Sequence, residues 1–366
     1  LLANLYDDEN IDVTNFEFTS KDLRIKGRAS IEPERGRLIE AELSNVLLGD
    51  NDVSVKYWRD DDNNIILDVG GKSLDLRPYI DQLLDSEQGN LPPFILETNV
   101  ERLITRADQQ ITGAQARVIN TAERLESAFL TGTLVTGSEL RLVLEPDGAK
   151  RRLTVRSKDA GSVARAFNIY DNAVGGDLVM DVILHDDEPG TPVSGQVLIK
   201  DYHLINAPTL AQILSIASFT GIFDALQGDG ISFSSFRLPF VLNDSIVTIE
   251  DAQTAGSSIG VNAAGKVNLD TDEVDIRGTI VPAYAVNSLL GNIPLIGDLL
   301  VGGAGEGIFA ATYSVTGTTT EPTISVNPLS VLAPGFLRNL FSIFDGTVGD
   351  PGDGSPPTSQ NLNIGP

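Results

Sequence analysis

Val261-Asn262-Ala263-Ala264-Gly265-Lys266-Val267-Asn268-Leu269, followed across Asp270-Thr271-Asp272-Glu273 by Val274-Asp275-Ile276-Arg277-Gly278-Thr279-Ile280, decides the fold. In the first segment the odd positions are apolar or glycine and the even ones mostly polar. In the second, Val274, Ile276 and Ile280 stand against Asp275, Arg277 and Thr279. Successive side chains on a strand point to opposite faces, so a period of two gives each strand one oily face and one wet face. The acidic tetrad between the segments reads as a hairpin turn. The alternation recurs at Phe309, Ala311, Tyr313 and Val315, and at Leu140, Leu142 and Leu144. Past the turn Glu145-Pro146-Asp147-Gly148 it resumes with Leu153 and Val155. Toward the N-terminus it runs through Leu23/Ile25, Ile39/Ala41/Leu43 and Val53/Val55/Tyr57. Many such strands joined by short turns predict a mainly β chain with a large antiparallel sheet.

A few segments depart from this pattern. Residues 75–86 place Leu76, Ile80, Leu83 and Leu84 on one helical face behind Asp75 as N-cap. Residues 114–128 read as a helix charged on one side, and a short helix opens at Ser157 and runs to about Phe167. Residues 208–219 align Leu210, Ile213, Leu214 and Ala217 in a stripe, with Pro208 early and Gly221 as the stop. Residues 284–300 and 328–344 are short apolar helical pieces interrupted by Gly and Pro, and the Gly/Pro/Ser-rich tail from 346 to 366 reads as disordered. Gly278 to Gly297 is uncharged and long enough to span a bilayer. However, its first part alternates as a strand, and Pro282, Gly291, Asn292 and Pro294 would break one helix. The expectation is no spanning helix.

The 366 residues carry 26 Lys and Arg against 51 Asp and Glu, a net charge of −25. That balance opposes nucleic-acid binding, which depends on Lys and Arg displacing counterions, and electrostatic adhesion to anionic headgroups. The imbalance is concentrated in residues 171–366, where 5 basic groups face 22 acidic ones, a net of −17. Cysteine is absent, which removes disulfides, thiolate metal sites and thiol nucleophiles. The chain opens Leu1-Leu2-Ala3-Asn4 without a leader pattern and reads as a C-terminal fragment of something larger.

No catalytic constellation emerges. Gly256-Ser257-Ser258-Ile259-Gly260 has the spacing of a nucleophile elbow, but both histidines, His185 and His203, precede it and its flanks read strand–turn–strand. Gly302-Gly303-Ala304-Gly305-Glu306-Gly307 leads into a strand, with no phosphate-binding helix after it. His185-Asp186-Asp187-Glu188 and Asp60-Asp61-Asp62-Asn63-Asn64 are acidic stretches at expected turns, read as solvated loops rather than ligand sets. The expectation is a protein that is not an enzyme and uses neither metal nor cofactor. Small inward positions (Ala263, Gly265, Gly278, Ala311) and Gly-interrupted helices tilt the reading from a closed sandwich toward an open oily surface.

From Asp159 onward the chain resembles the AsmA-like C-terminal region of the YhdP/TamB group of envelope proteins. The resemblance rests on Asp159-Ala160-Gly161, Tyr170 to Gly176, Ala207-Pro208-Thr209-Leu210, Ser218 to Ile222 and Gly228 to Phe233. It continues through Gly278 to Tyr284, Asn287 to Pro294, Gly303 to Phe309 and Val326 to Arg338. It implies a large, strongly curved antiparallel sheet forming an open hydrophobic groove, capped or plugged by a few short helices. Residues 1–90 would be the end of a repetitive β-groove region and 91–345 the AsmA-like domain. The implied function is non-enzymatic phospholipid transport along the groove between inner and outer membranes. The implied location is the periplasm, with an N-terminal anchoring helix outside this sequence. The alternative is a structural or assembly factor that offers sheet edges to envelope proteins.

The expected lining comprises Leu140, Leu142, Leu144, Leu178, Met180, Val182, Val197, Ile199, Val261, Val267, Val274, Ile276, Phe309, Tyr313 and Val315. Ordinary core packing is the competing reading for each of these positions.

Overall fold

The computed structural model describes residues 2–4, 10–34, 36–61, 63–78, 92–106, 109–282 and 310–327. The chain forms two compact units: Leu1–Ser157 with Ser162–Ile169, and Lys158–Gly161 with Tyr170–Pro366.

The first unit is a strand meander: β1 (Leu2–Asn4), β2 (Ile11–Thr19), β3 (Leu23–Glu32), β4 (Arg37–Leu48), β5 (Asn51–Arg59), β6 (Ile65–Asp75), β7 (Phe94–Arg106), β8 (Gln109–Asn120), β9 (Leu125–Thr133), β10 (Glu139–Asp147) and β11 (Lys150–Ser157). Each strand pairs with the one before it, antiparallel except for β6 and β7. A parallel pair cannot be closed by a tight turn. The long connection 76–93 supplies the crossover, and the boundary expected near residue 90 falls inside it. Asp75 is the last residue of β6, not a helix cap. Its carboxylate accepts the Arg77 backbone N–H at 3.0 Å and the Arg77 Nε at 2.8 Å, and the guanidinium holds its pKa below the usual range. The rest of the helix expected over 75–86 lies largely outside the described residues, as do the segments 284–300 and 328–344 and the tail.

The helix expected over 114–128 is instead the hairpin of β8 and β9. Ala114, Ala116 and Val118 alternate with Gln115 and Arg117, and the chain reverses at 121–124. Thr121 Oγ1 closes that turn by accepting the N–H groups of Glu123 and Arg124. A helix forms where Ser157–Phe167 predicted one, as α1 (Ala160–Ala166).

The second unit runs β12 (Ala173–Leu184), β13 (Val193–Leu204), α2 (Pro208–Ile216), α3 (Thr220–Gln227), β14 (Ile231–Asn243), β15 (Ile246–Gly256), β16 (Ile259–Asn268), β17 (Glu273–Pro282), β18 (Ala311–Thr318) and β19 (Pro322–Asn327). All eight strands pair antiparallel with their chain neighbours. Turns fall at 269–272 and 257–258, as the alternation predicts. Pro208 starts α2, where its missing N–H is no loss. What ends α2 is Ser218, held left-handed at φ 62°, and Gly221 lies inside α3. Uncharged Gly278–Pro282 completes β17, and among the described residues no helix is long and apolar enough to cross a membrane.

The core of this unit sits where α2 and α3 lie on the sheet. Ile213, Leu214 and Leu226 from the helices pack with Tyr202, Ile231, Phe233, Ile259, Ile280, Ala311, Tyr313 and Val315 from β13, β14, β16, β17 and β18. Register shifts in β14 and β15 mark bulges, which bend strands and sharpen their twist.

Candidate functional site

Residues directly opposite in a ladder share a face, so the register assigns every inward position of the second unit. Leu178, Met180 and Val182 stand opposite Ile199, Val197 and Gly195, which stand opposite Phe236, Leu238 and Phe240. Phe240 and Leu242 continue to Ile249 and Val247, and these to Gly265 and Val267. Gly265, Val267, Val261 and Ala263 face Ile276, Val274, Ile280 and Gly278. Those pair with Val315, Gly317, Ala311 and Tyr313, and the face ends at Ile324 and Val326 of β19. Across eight strands this face carries no charged residue. Its polar side chains are Thr254, Tyr202 and Tyr313, and all three are engaged. The Tyr202 hydroxyl donates to Thr254 Oγ1 at 2.6 Å, Thr254 Oγ1 donates to the Ser235 carbonyl at 2.8 Å, and the Tyr313 hydroxyl donates to the Asn262 carbonyl at 2.8 Å.

The opposite face carries the charged side chains, although Leu198, Val241 and Val281 on it are buried. Lys200 faces Asp177, Lys266 faces Asp275, and Arg237 and Arg277 pair with Asp251 and Asp275 at 3.0 and 3.5 Å. A shallow depression there is lined by Asp251, Asn262, Arg277, Thr312, Ser314 and Asn327.

Burial divides the oily face in two. Toward the helix pair Tyr202, Phe233, Ile259, Ile280, Tyr313 and Val315 are sealed. Toward the other end Val193, Val197, Leu238, Leu242, Val247, Ile249, Val267 and Val274 stay part-exposed. The result is an apolar sheet face covered at one end by α2 and α3 and part-exposed at the other. Among the expected lining residues, Met180, Val197, Ile199, Val261, Val267, Val274 and Ile276 are part-exposed on this face. Leu178 and Val182 share the face but are buried, and Tyr313 and Val315 lie in the core around the helices. Phe309 falls outside the described residues. In the first unit Leu140, Leu142 and Leu144 share an apolar face with Leu130, Ala128, Val155 and Leu153, with Leu140 and Leu144 buried and Leu142 part-exposed.

Tyr313 also explains two of the small inward positions. Ala263 and Gly278 are directly opposed, and Tyr313 is the next residue across. A Cβ on Gly278 would collide with the Asn262 carbonyl and stand 2.6 Å from the Tyr313 hydroxyl oxygen. These positions therefore make a bed for an aromatic ring. Burial pushes the Tyr202 and Tyr313 hydroxyls well above the ordinary phenol pKa of about 10. Above that pH the unfolded chain loses protons that the native chain keeps, so stability falls as pH rises. The melting temperature is expected to drop above about pH 10, and to drop less steeply in the double variant Tyr202→Phe/Tyr313→Phe.

The sequence reading missed β14 almost entirely. Phe236, Leu238, Phe240 and Leu242 do alternate, but Pro239 and Val241 occupy the outward positions and hide the period. His185 is not in a solvated loop: it is 2% exposed, with Nε2 2.7 Å from Ser194 Oγ and Nδ1 3.2 Å from Glu188 Oε1. It pins the β12–β13 turn and lies close to the Asp187 carboxylate.

Residues 164–324, from within α1 to the middle of β19, match the protein family described as YhdP protein. Over this stretch the chain is similar to the YhdP family. It takes in every strand of the oily face but the last residues of β19, together with the helix pair that stops it. The YhdP match also falls where the residue-level resemblance lies. No curated protein and no solved structure matches the chain.

Proposed function

We propose that this chain carries phospholipid acyl chains along its apolar trough, as the non-enzymatic lipid-conducting part of a longer envelope protein working between inner and outer membranes. The observation that carries this reading is the uncharged face over eight strands, part-exposed for half its length. From Leu238 to Leu242 the open stretch covers four residue steps, about 13 Å of strand. Sheltering a sixteen-carbon chain is worth about 12 kcal/mol at roughly 0.8 kcal/mol per methylene. An oily surface without free polar groups supplies that shelter at many equivalent positions, so a chain can slide. The YhdP-family match supports a role in the envelope.

Native mass spectrometry of the purified chain, with extraction and lipid analysis, tests the reading. At least one phospholipid per chain is expected. Protein that is lipid-free as isolated and takes up none from vesicles would refute it.

A further inference from the structure

The shallow depression on the charged face lies wholly within the second unit and holds about 680 Å³. That is the size of a small-molecule site, for which roughly 300–1,000 Å³ is usual. Its floor is a grid set by the ladder. Asn262, Thr279, Thr312 and Asn327 stand opposite one another across β16 to β19, and Arg277, Ser314 and Ser325 form the next row. Neighbouring strands lie about 5 Å apart, so side-chain hydroxyl and amide groups recur at that interval. The backbone beneath is engaged in the ladders, which leaves the side chains to meet a ligand.

Thr279 is 7% exposed and lines this floor, yet its Oγ1 has no hydrogen-bond partner among the described residues. Buried polar side chains are nearly always paired, so an unpaired hydroxyl facing a depression points to a ligand. The Asn262 amide uses Oδ1, which accepts the Thr279 N–H at 2.7 Å, and its Nδ2 is left over among the described residues. Thr312, Ser314 and Ser325 add hydroxyls that also lack a partner among the described residues. The charges around them are matched within the protein. Arg277 pairs with Asp275 at 3.5 Å, and Asp251 accepts from Arg237 at 3.0 Å and from Gln253 at 2.8 Å. Glu250, exposed at the margin, is a carboxylate that accepts from hydroxyls and repels anions. What the depression leaves unsatisfied is therefore a set of neutral donors and acceptors.

We propose that this depression binds an uncharged oligosaccharide, whose hydroxyl groups donate and accept as those of serine and threonine do. The site is on the opposite face of the sheet from the oily one and does not depend on the lipid-carrying reading. Isothermal titration of the full chain with chitotriose and with cellotriose tests it. At least one of the two is expected to bind with a dissociation constant at or below about 1 mM. Thr279→Val keeps the shape of the side chain and removes a hydroxyl that the fold does not use. Its melting temperature should hold while sugar binding weakens about tenfold. Thr312→Val should weaken binding likewise, and Thr316→Val, on the same face outside the depression, should leave it unchanged. Failure of both sugars to bind overturns the inference, as does binding that neither Thr279→Val nor Thr312→Val weakens or that Thr316→Val weakens as much. Displacement of bound sugar by an equal concentration of inorganic phosphate would assign the site to anions and overturn it too.

Discussion

Val267→Glu is expected to lower lipid retention about 30-fold while moving the melting temperature by no more than about 3 °C. Val267 lies in the open stretch, opposite Val247 on one side and Val274 on the other, and is part-exposed. A carboxylate there keeps its water, so the fold bears little of the cost. A lipid tail lying across it loses contact for roughly two or three methylenes, about 2 kcal/mol. Lys266→Glu, one residue away on the outer face, is the matched control and should leave retention unchanged. Equilibrium retention of a radiolabelled phospholipid, read beside thermal melts, separates the two outcomes. A Val267→Glu protein that unfolds would place this residue in a closed core, and one that binds normally would remove it from the lipid path.

Leu214→Ala should destabilise the second unit by about 3 kcal/mol, whereas Ile216→Ala should cost less than about 0.5 kcal/mol. Leu214 is 0% exposed between α2 and the sheet, and Ile216, two residues on, is 44% exposed. The cavity left under the helix cannot collapse easily, because it is bounded by strand residues fixed in their ladders. Urea denaturation followed by circular dichroism measures both changes. A small effect at Leu214 would mean that the helices are loosely held and that the trough can open at this end. The large effect expected here would make them a fixed cover over this end of the apolar face.

Much of this was legible from residues 261–280. The hairpin of β16 and β17, its turn and its inward residues follow from alternation alone, because one oily and one wet side chain per step is what a half-covered sheet requires. Pro239 and Val241 show where that logic stops: apolar residues at outward positions erase the period without changing the ladder. Residues 114–128 failed for a related reason. In the segment read as a helix charged on one side, Arg117 stands outward on a strand, and Glu123 and Arg124 sit in a turn. The division of the trough into sealed and open halves was not legible, since it depends on where α2 and α3 rest.

In both units each strand hydrogen-bonds to the strands next to it in the chain. Low contact order of this kind lets a sheet zip up strand by strand, with no distant segment to wait for. It also makes the architecture extensible. Inserting one hairpin would widen the sheet by two strand spacings, roughly 10 Å, without disturbing any existing pair.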